Sequence, residues 1–137
     1  MRVLLIYPRV SAEVLYGKIR DVGNFQMPLG IAYIGAYLRE KGFEVQIIDA
    51  EVLQLSDKEI LKEIARFNPE MVAFSSTTPV VKSAIALAEK TKKRFPKKFI
   101  LIGGPHATFL AGGILASVAV PLCVLGRRGW GNRAQAG

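Results

Sequence analysis

A chain of 137 residues can enclose one hydrophobic core and is short for two. Half of the residues are apolar and 22% are charged, which excludes a disordered chain; the single cysteine, Cys123, excludes a disulfide framework, a four-cysteine zinc site and a three-cysteine iron–sulfur motif. Much of the net charge of +8 sits in Lys90, Lys92, Lys93, Arg94, Lys97 and Lys98 at the end of one predicted helix, interleaved only by Phe95, so no base-stacking nucleic-acid platform is expected.

Arg2 to Tyr7 is a near-continuous apolar run, the pattern of a strand covered on both faces. It is too short for a cleavable signal, and a cytoplasmic chain is expected. Pro8 ends it, and the stretch from Arg9 to Met27 lacks clear periodicity, as functional or mobile loops do. Pro28 opens a helix whose close-packing face is expected to comprise Leu29, Gly30, Ile31, Ala32, Ile34, Gly35 and Leu38, with Gly42 as a left-handed cap. Phe43 to Ile48 reads as the second strand, and Asp49 after it as a solvated turn residue.

Ser56-Asp-Lys-Glu59 spells a capping box, followed by a buried stripe of Ile60, Leu61, Ile64 and Phe67 and a stop at Pro69. Met71 to Phe74 is the third strand and runs into Ser75-Ser76-Thr77-Thr78-Pro79. Thr78 is expected to cap the next helix and Pro79 to start it, with Val81, Ala84, Ile85, Ala88 and Phe95 inward. Phe99 to Ile102 is the fourth strand, ending in Gly103-Gly104-Pro105-His106. The uncharged stretch from Phe109 to Gly126 approaches membrane-spanning length, but Gly112, Gly113 and Pro121 interrupt it. It reads instead as a short helix near Thr108 to Ser117 and a strand near Leu122 to Leu125, with no membrane partner.

Five alternations of strand and helix predict an α/β fold: a doubly wound, Rossmann-like parallel sheet in the flavodoxin-like order 2-1-3-4-5. The domain is expected over residues 1–126, with residues 127–137 as a disordered basic, glycine-rich tail. Ligands of such sheets bind beyond the carboxyl ends of the strands at the switch point, here between the first and third strands. Tyr7 and Pro8, Ser75 to Thr78, and Gly103 to His106 would line that crevice. A P-loop, a Gly-x-Gly-x-x-Gly fingerprint, the acidic pair of a phospho-receiver and a flavodoxin-type phosphate loop are all missing from the strand ends. What remains is a hydroxyl cluster beside a side-chain-free Gly-Gly step, suited to a bulky, planar, partly apolar ligand. Ser75, Ser76 and Thr77 could equally cap the following helix, and the glycines could form a tight turn. His106, the only histidine, suits a hydrogen-bonded helix entry.

Pro28-Leu-Gly-Ile-Ala-Tyr-Ile-Gly-Ala-Tyr-Leu38, Gly42, Ser75-Ser-Thr-Thr-Pro79 and Gly103-Gly-Pro-His-Ala-Thr108 together resemble the cobalamin-binding domain of cobalamin-dependent radical S-adenosylmethionine proteins, the anaerobic magnesium-protoporphyrin IX monomethyl ester oxidative cyclase type in particular. The likeness covers residues 1 to 110 or so. It implies a cobalamin cofactor, with Ser75 and Thr77 toward its dimethylbenzimidazole end and Gly103-Gly104 leaving the space that end occupies. Tyr7, Pro8, Ser76, Pro105 and His106 complete the implied cofactor-binding set. The corrin ring holds the cobalt, so no side chain is expected to ligate metal; the Asp-x-His-x-x-Gly loop of mutase-type carriers is missing. The resemblance also implies a partner, a radical S-adenosylmethionine catalytic domain bearing the cluster cysteines. This chain lacks those cysteines, so it has no iron–sulfur cluster and no complete active site of its own.

Relatives leave the fifth strand through an acidic Gly-Glu-Gly-Glu turn, where this chain has Gly126-Arg-Arg-Gly-Trp-Gly-Asn132. The part after residue 111 or so therefore reads as foreign to the family, as in a truncated or frame-altered product. A weakened fifth strand would expose apolar surface and favour a homo-oligomer. Two other readings are a ligand-free interaction or regulatory module, and a flavin or nucleotide carrier on the same fold.

Overall fold

The computed structural model describes residues 1–9, 29–76, 80–104, 123–126 and 129–132. The elements are β1 (Arg2–Tyr7), α1 (Leu29–Glu40), β2 (Glu44–Asp49), α2 (Asp57–Phe67), β3 (Met71–Ser75), α3 (Val81–Arg94), β4 (Phe99–Gly103), β5 (Cys123–Gly126) and β6 (Gly129–Asn132). The sheet order is β2-β1-β3-β4-β5-β6, with the first five strands parallel. This is the expected 2-1-3-4-5 arrangement with one strand added: β6 pairs antiparallel with β5, Leu125 opposite Trp130 and Gly126 opposite Gly129. The sequence reading has no strand there, because Gly129-Trp-Gly-Asn132 shows neither an apolar run nor β-branched residues. The anticipated 9–27 loop beyond Arg9, and the 108–117 helix, lie outside the described residues.

Alternation along the strands divides the core in two. Leu4, Ile6, Ile48, Val72, Phe74, Ile100 and Ile102 meet Ile60 and Ile64 of α2 and Ala84, Leu87 and Ala88 of α3 on one face. Val3, Leu5 and Val45 meet Ile31 of α1 on the other. Both faces of β1 are therefore dry, which explains its near-continuous apolar run.

Local signals set the helix ends. Ser56 Oγ accepts from Glu59 N at 3.2 Å while Glu59 Oε2 accepts from Ser56 N at 2.7 Å, the expected capping box. These bonds hold the Glu59 carboxyl below its ordinary pKa. Asn68 closes α2 in the left-handed region ahead of Pro69. Gly42, at φ +90°, closes α1: its N–H donates to Arg39 O and the Phe43 N–H to Leu38 O, both at 3.0 Å, a Schellman pair.

One expectation needs correction. In α1 only Ile31, Gly35 and Leu38 turn toward the sheet; Leu29, Gly30, Ala32 and Ile34 are exposed, because the apolar residues of this helix run right round its circumference. The next α-helix runs from Val81, and its cap residue, Val80, is fully buried and makes no side-chain bond. Thr78 and Pro79, expected to cap and start it, lie outside the described residues.

Candidate functional site

Strand register brings the expected site residues to one end of the sheet. Tyr7 pairs with Asp49, and Ser75 pairs with Gly103, which in turn pairs with Leu125. Tyr7 and Ser75 each follow the last registered β1–β3 pair, Ile6 with Phe74, by one residue. Alternation puts Asp49, Tyr7, Ser75 and Gly103 on the face that carries α1, in a single row across β2, β1, β3 and β4. Tyr7, Ser75 and Gly103 are all half-buried, and Pro8 beyond Tyr7 is buried. The row is thus a phenol, a hydroxyl and a bare backbone position, side by side at the carboxyl edge.

Ser76 plays a different part. It is fully buried; its N–H donates to Gly103 O at 2.7 Å and its Oγ donates to the same oxygen at 3.1 Å. The hydroxyl ties the tip of β3 to the tip of β4, so Ser76 supports the edge. Gly104 lies at the same junction. At φ +113° it occupies a conformation that side chains resist, and a Cβ there would lie 3.1 Å from Ser76 N and 3.2 Å from Ser76 O. The room beside Gly104 is filled by the protein's own backbone. The side-chain-free position in the row is Gly103. Thr77, Pro105 and His106 lie outside the described residues.

A loop that sequence reasoning left without a role closes the β2 side of the row. Ala50 N donates to Tyr7 O at 2.9 Å, and Asp49 Oδ1 accepts from Val52 N at 3.1 Å, the turn role expected of Asp49. Arg9 reaches across to Gln54 Oε1 at 3.0 Å, while Gln54, itself left-handed at φ 51°, donates to Glu51 O at 2.5 Å. Arg9 and Gln54 therefore couple the exit of β1 to the β2–α2 turn. The only sequence signal for this was a polar pair in segments without periodicity.

The opposite, amino edge is built for structure. Lys98 Nζ donates to Asn68 Oδ1 at 2.7 Å and Pro69 O at 2.6 Å, and Lys92 Nζ to Lys98 O at 2.9 Å. Burial pushes the Lys98 ammonium below its ordinary pKa. Glu70 accepts from the Arg2 N–H at 2.6 Å, which holds its carboxyl low. A shallow depression of about 220 Å³ lies among Asn68, Pro69, Glu70, Lys97 and Lys98. Glu70 there is engaged by the Arg2 N–H and Lys98 by Asn68 Oδ1 and Pro69 O, on the edge away from the Tyr7–Ser75–Gly103 row.

Among the described residues no three His, Cys, Asp or Glu side chains cluster to hold a metal ion, and no helix is long and apolar enough to cross a membrane. A flat ligand tail with polar edges suits the row: Gly103 presents no side chain, and the adjacent Ser75 hydroxyl can both donate and accept.

Comparison with known proteins points to one cofactor class. The B12 binding domain family matches residues 18–136. That span runs well past residue 111, so the part expected to be foreign is included, in keeping with β5 standing beside β4. An uncharacterized methyltransferase of Pyrococcus horikoshii is 34% identical over 109 residues, 80% of this chain and 23% of that protein. The anaerobic magnesium-protoporphyrin IX monomethyl ester cyclase of Rubrivivax gelatinosus is 29% identical over 116 residues, 84% of this chain and 20% of its own length. The hopanoid C-3 methylase of Methylococcus capsulatus is 33% identical over 116 residues, covering 84% and 21%. The chain thus spans about a fifth of the length of these curated relatives.

Proposed function

Because this chain belongs to the B12 binding domain family, whose cofactor is cobalamin, we propose that it carries a corrinoid for a radical S-adenosylmethionine catalytic domain of the methyltransferase or oxidative-cyclase type. The observation that carries this reading is the row of Tyr7, Ser75 and Gly103 on one face at the carboxyl edge of the sheet. Ser75 would hold the polar edge of the nucleotide tail through its hydroxyl, and Gly103 would let the tail lie against bare backbone. Tyr7 and Pro8 would floor the crevice. When bound, the corrinoid supplies the cobalt centre; the protein's part is to bind and orient it.

Methyl transfer and oxidative cyclisation are both represented among the relatives at similar identity, so the sequence expectation of a cyclase widens to include the methyltransferases. The substrate-binding and radical-generating groups belong in this reading to the catalytic part, for which the longer relatives have ample chain.

The test is retention of colour. Purified chain mixed with hydroxocobalamin and desalted should keep the corrin absorbance. Replacing Ser75 by Val should weaken retention about three- to tenfold, the worth of one hydrogen bond, without changing the melting temperature. Loss of all corrin absorbance from a folded parent chain would overturn the proposal. A copurifying flavin spectrum would transfer the crevice to the flavin reading.

A further inference from the structure

Gln54 is an unusual residue for its place in the chain. It stands at φ 51°, in the left-handed region, near the end of the β2–α2 turn. Glycine or asparagine enters that region with less strain. Turn closure does not call for a glutamine either: Val52 N donates to Asp49 Oδ1, Leu53 N to Asp49 O and Leu55 N to Ala50 O, each at 3.1 Å. What glutamine adds is reach in two directions. Its Nε2 donates to Glu51 O at 2.5 Å, which fixes the amide group, and its Oε1 accepts from Arg9 Nη2 at 3.0 Å.

That reach falls on the exit of β1. Tyr7 is the last residue of the strand, and Pro8 has no N–H with which to continue the ladder. Among the described residues, the exit is held to the β2–α2 turn on either side of buried Pro8. Ala50 N donates to Tyr7 O at 2.9 Å before it, and Arg9 donates to Gln54 after it. The Glu59 carboxyl, lowered first by its bonds to Ser56, is lowered also by the Lys62 and Arg9 charges, so Arg9 lies near the amino end of α2 as well.

We propose that Gln54 is a positioning residue for the corrinoid crevice: through Arg9 it sets the course of the Pro8 exit, and with it the floor beside Tyr7, before the cofactor binds. The proposal rests on the corrinoid reading of the Tyr7–Ser75–Gly103 row. Local backbone strain persists where the surroundings over-determine it, and here the Arg9 tie supplies that constraint. A floor already set in the free chain spares the cofactor the ordering of Pro8 and Arg9 on binding. One exposed hydrogen bond bounds the effect at about three- to tenfold in affinity.

Gln54→Gly separates positioning from support, because glycine relieves the left-handed backbone while removing the tie. The melting temperature of the free chain should stay within about 3 °C of the parent. The dissociation constant for hydroxocobalamin, read by titration of the visible spectrum, should rise about three- to tenfold. Gln54→Asn tolerates the same backbone but is a methylene too short for Arg9, and it should behave alike. Arg9→Ala should give an equal loss and the double variant no more, since one tie is removed in each. In the cofactor-free chain, the Ala50 amide should exchange its hydrogen about three- to tenfold faster in every one of these variants. Parent-like affinity in Gln54→Gly and Gln54→Asn, or unchanged Ala50 exchange, would overturn the inference alone. Additive losses in the double variant would overturn it too, by making Arg9 a direct contact of the cofactor. A folded parent that binds no corrinoid would defeat the corrinoid reading and this inference with it.

Discussion

Gly104→Ala is the sharpest test of how the carboxyl edge is built. Gly104 has φ +113°, a region in which a residue bearing a Cβ stores about 1–3 kcal/mol of strain. The added methyl would also sit 3.1 and 3.2 Å from Ser76 N and O. Those atoms cannot yield easily, because the Ser76 N–H is already held at 2.7 Å on Gly103 O and the Ser76 side chain is fully buried. Crowding of rigid backbone adds about 1 kcal/mol, for a total of roughly 2–4 kcal/mol. For a domain of this size that corresponds to a fall in melting temperature of roughly 10 °C by circular dichroism. Gly35→Ala is the control. Its methyl would come within 2.8 Å of Ile47 Cδ1, a closer approach on paper, but that atom is the tip of a flexible side chain that is 37% exposed. The helix also gains about 1 kcal/mol of propensity from the exchange. Gly35→Ala should therefore stay within about 1 kcal/mol of the parent. If Gly104→Ala melts within about 2 °C of the parent, or Gly35→Ala proves the more damaging, the assignment of Gly104 to the backbone junction is wrong.

Ser56→Ala removes the side-chain acceptor of the α2 capping box and should cost about 1 kcal/mol in urea unfolding, while the bond from the residue-56 backbone N–H to the Glu59 carboxylate remains. Acid should destabilise the fold. Glu59, Glu63 and Glu70 are held below the ordinary carboxylate range by Ser56, Arg66 and the Arg2 N–H respectively. A depressed folded-state value means stability that is complete above the unfolded value and lost as pH falls through the folded one. Melting temperature should thus decline on going from neutral to acid pH, and Glu70→Gln should flatten part of that decline. Ser75→Val and Ser76→Ala should separate: the first should lower corrinoid retention at constant melting temperature, whereas the second should lower melting temperature by removing the hydroxyl's bond to Gly103 O, one of the two that Ser76 makes there.

The sheet was legible because its information is local and repetitive. Apolar runs in β1 and β3, the capping box at Ser56, Gly42 and the Asn68-Pro69 stop each announce an element boundary through one physical requirement. Parallel order then follows from short alternating connections. Two features escaped. The outer face of α1 was merged with its inner face, because a helix apolar all round gives no single stripe to point inward. β6 escaped because glycine-flanked residues form a strand only when β5 offers them a ladder, a tertiary cause invisible in the segment itself.

The site was legible to the level of the segment and not of the atom. Ser75-Ser76 and Gly103-Gly104 each looked like a uniform pair, yet the period of two in a strand assigns the members opposite duties. Ser75 lies on the α1 face in register with Gly103, whereas Ser76 turns into the core and spends both its donors on Gly103 O. Gly103 supplies the bare step in the row, and Gly104 supplies the left-handed turn that lets Ser76 come close. One serine and one glycine thus brace the edge so that the other pair can present it. A ligand that reads Ser75 and Gly103 depends on Ser76 and Gly104 without touching them. Substitutions at the bracing pair should therefore lower cofactor affinity only in proportion to the stability they remove, while those at the presenting pair should lower it at constant stability.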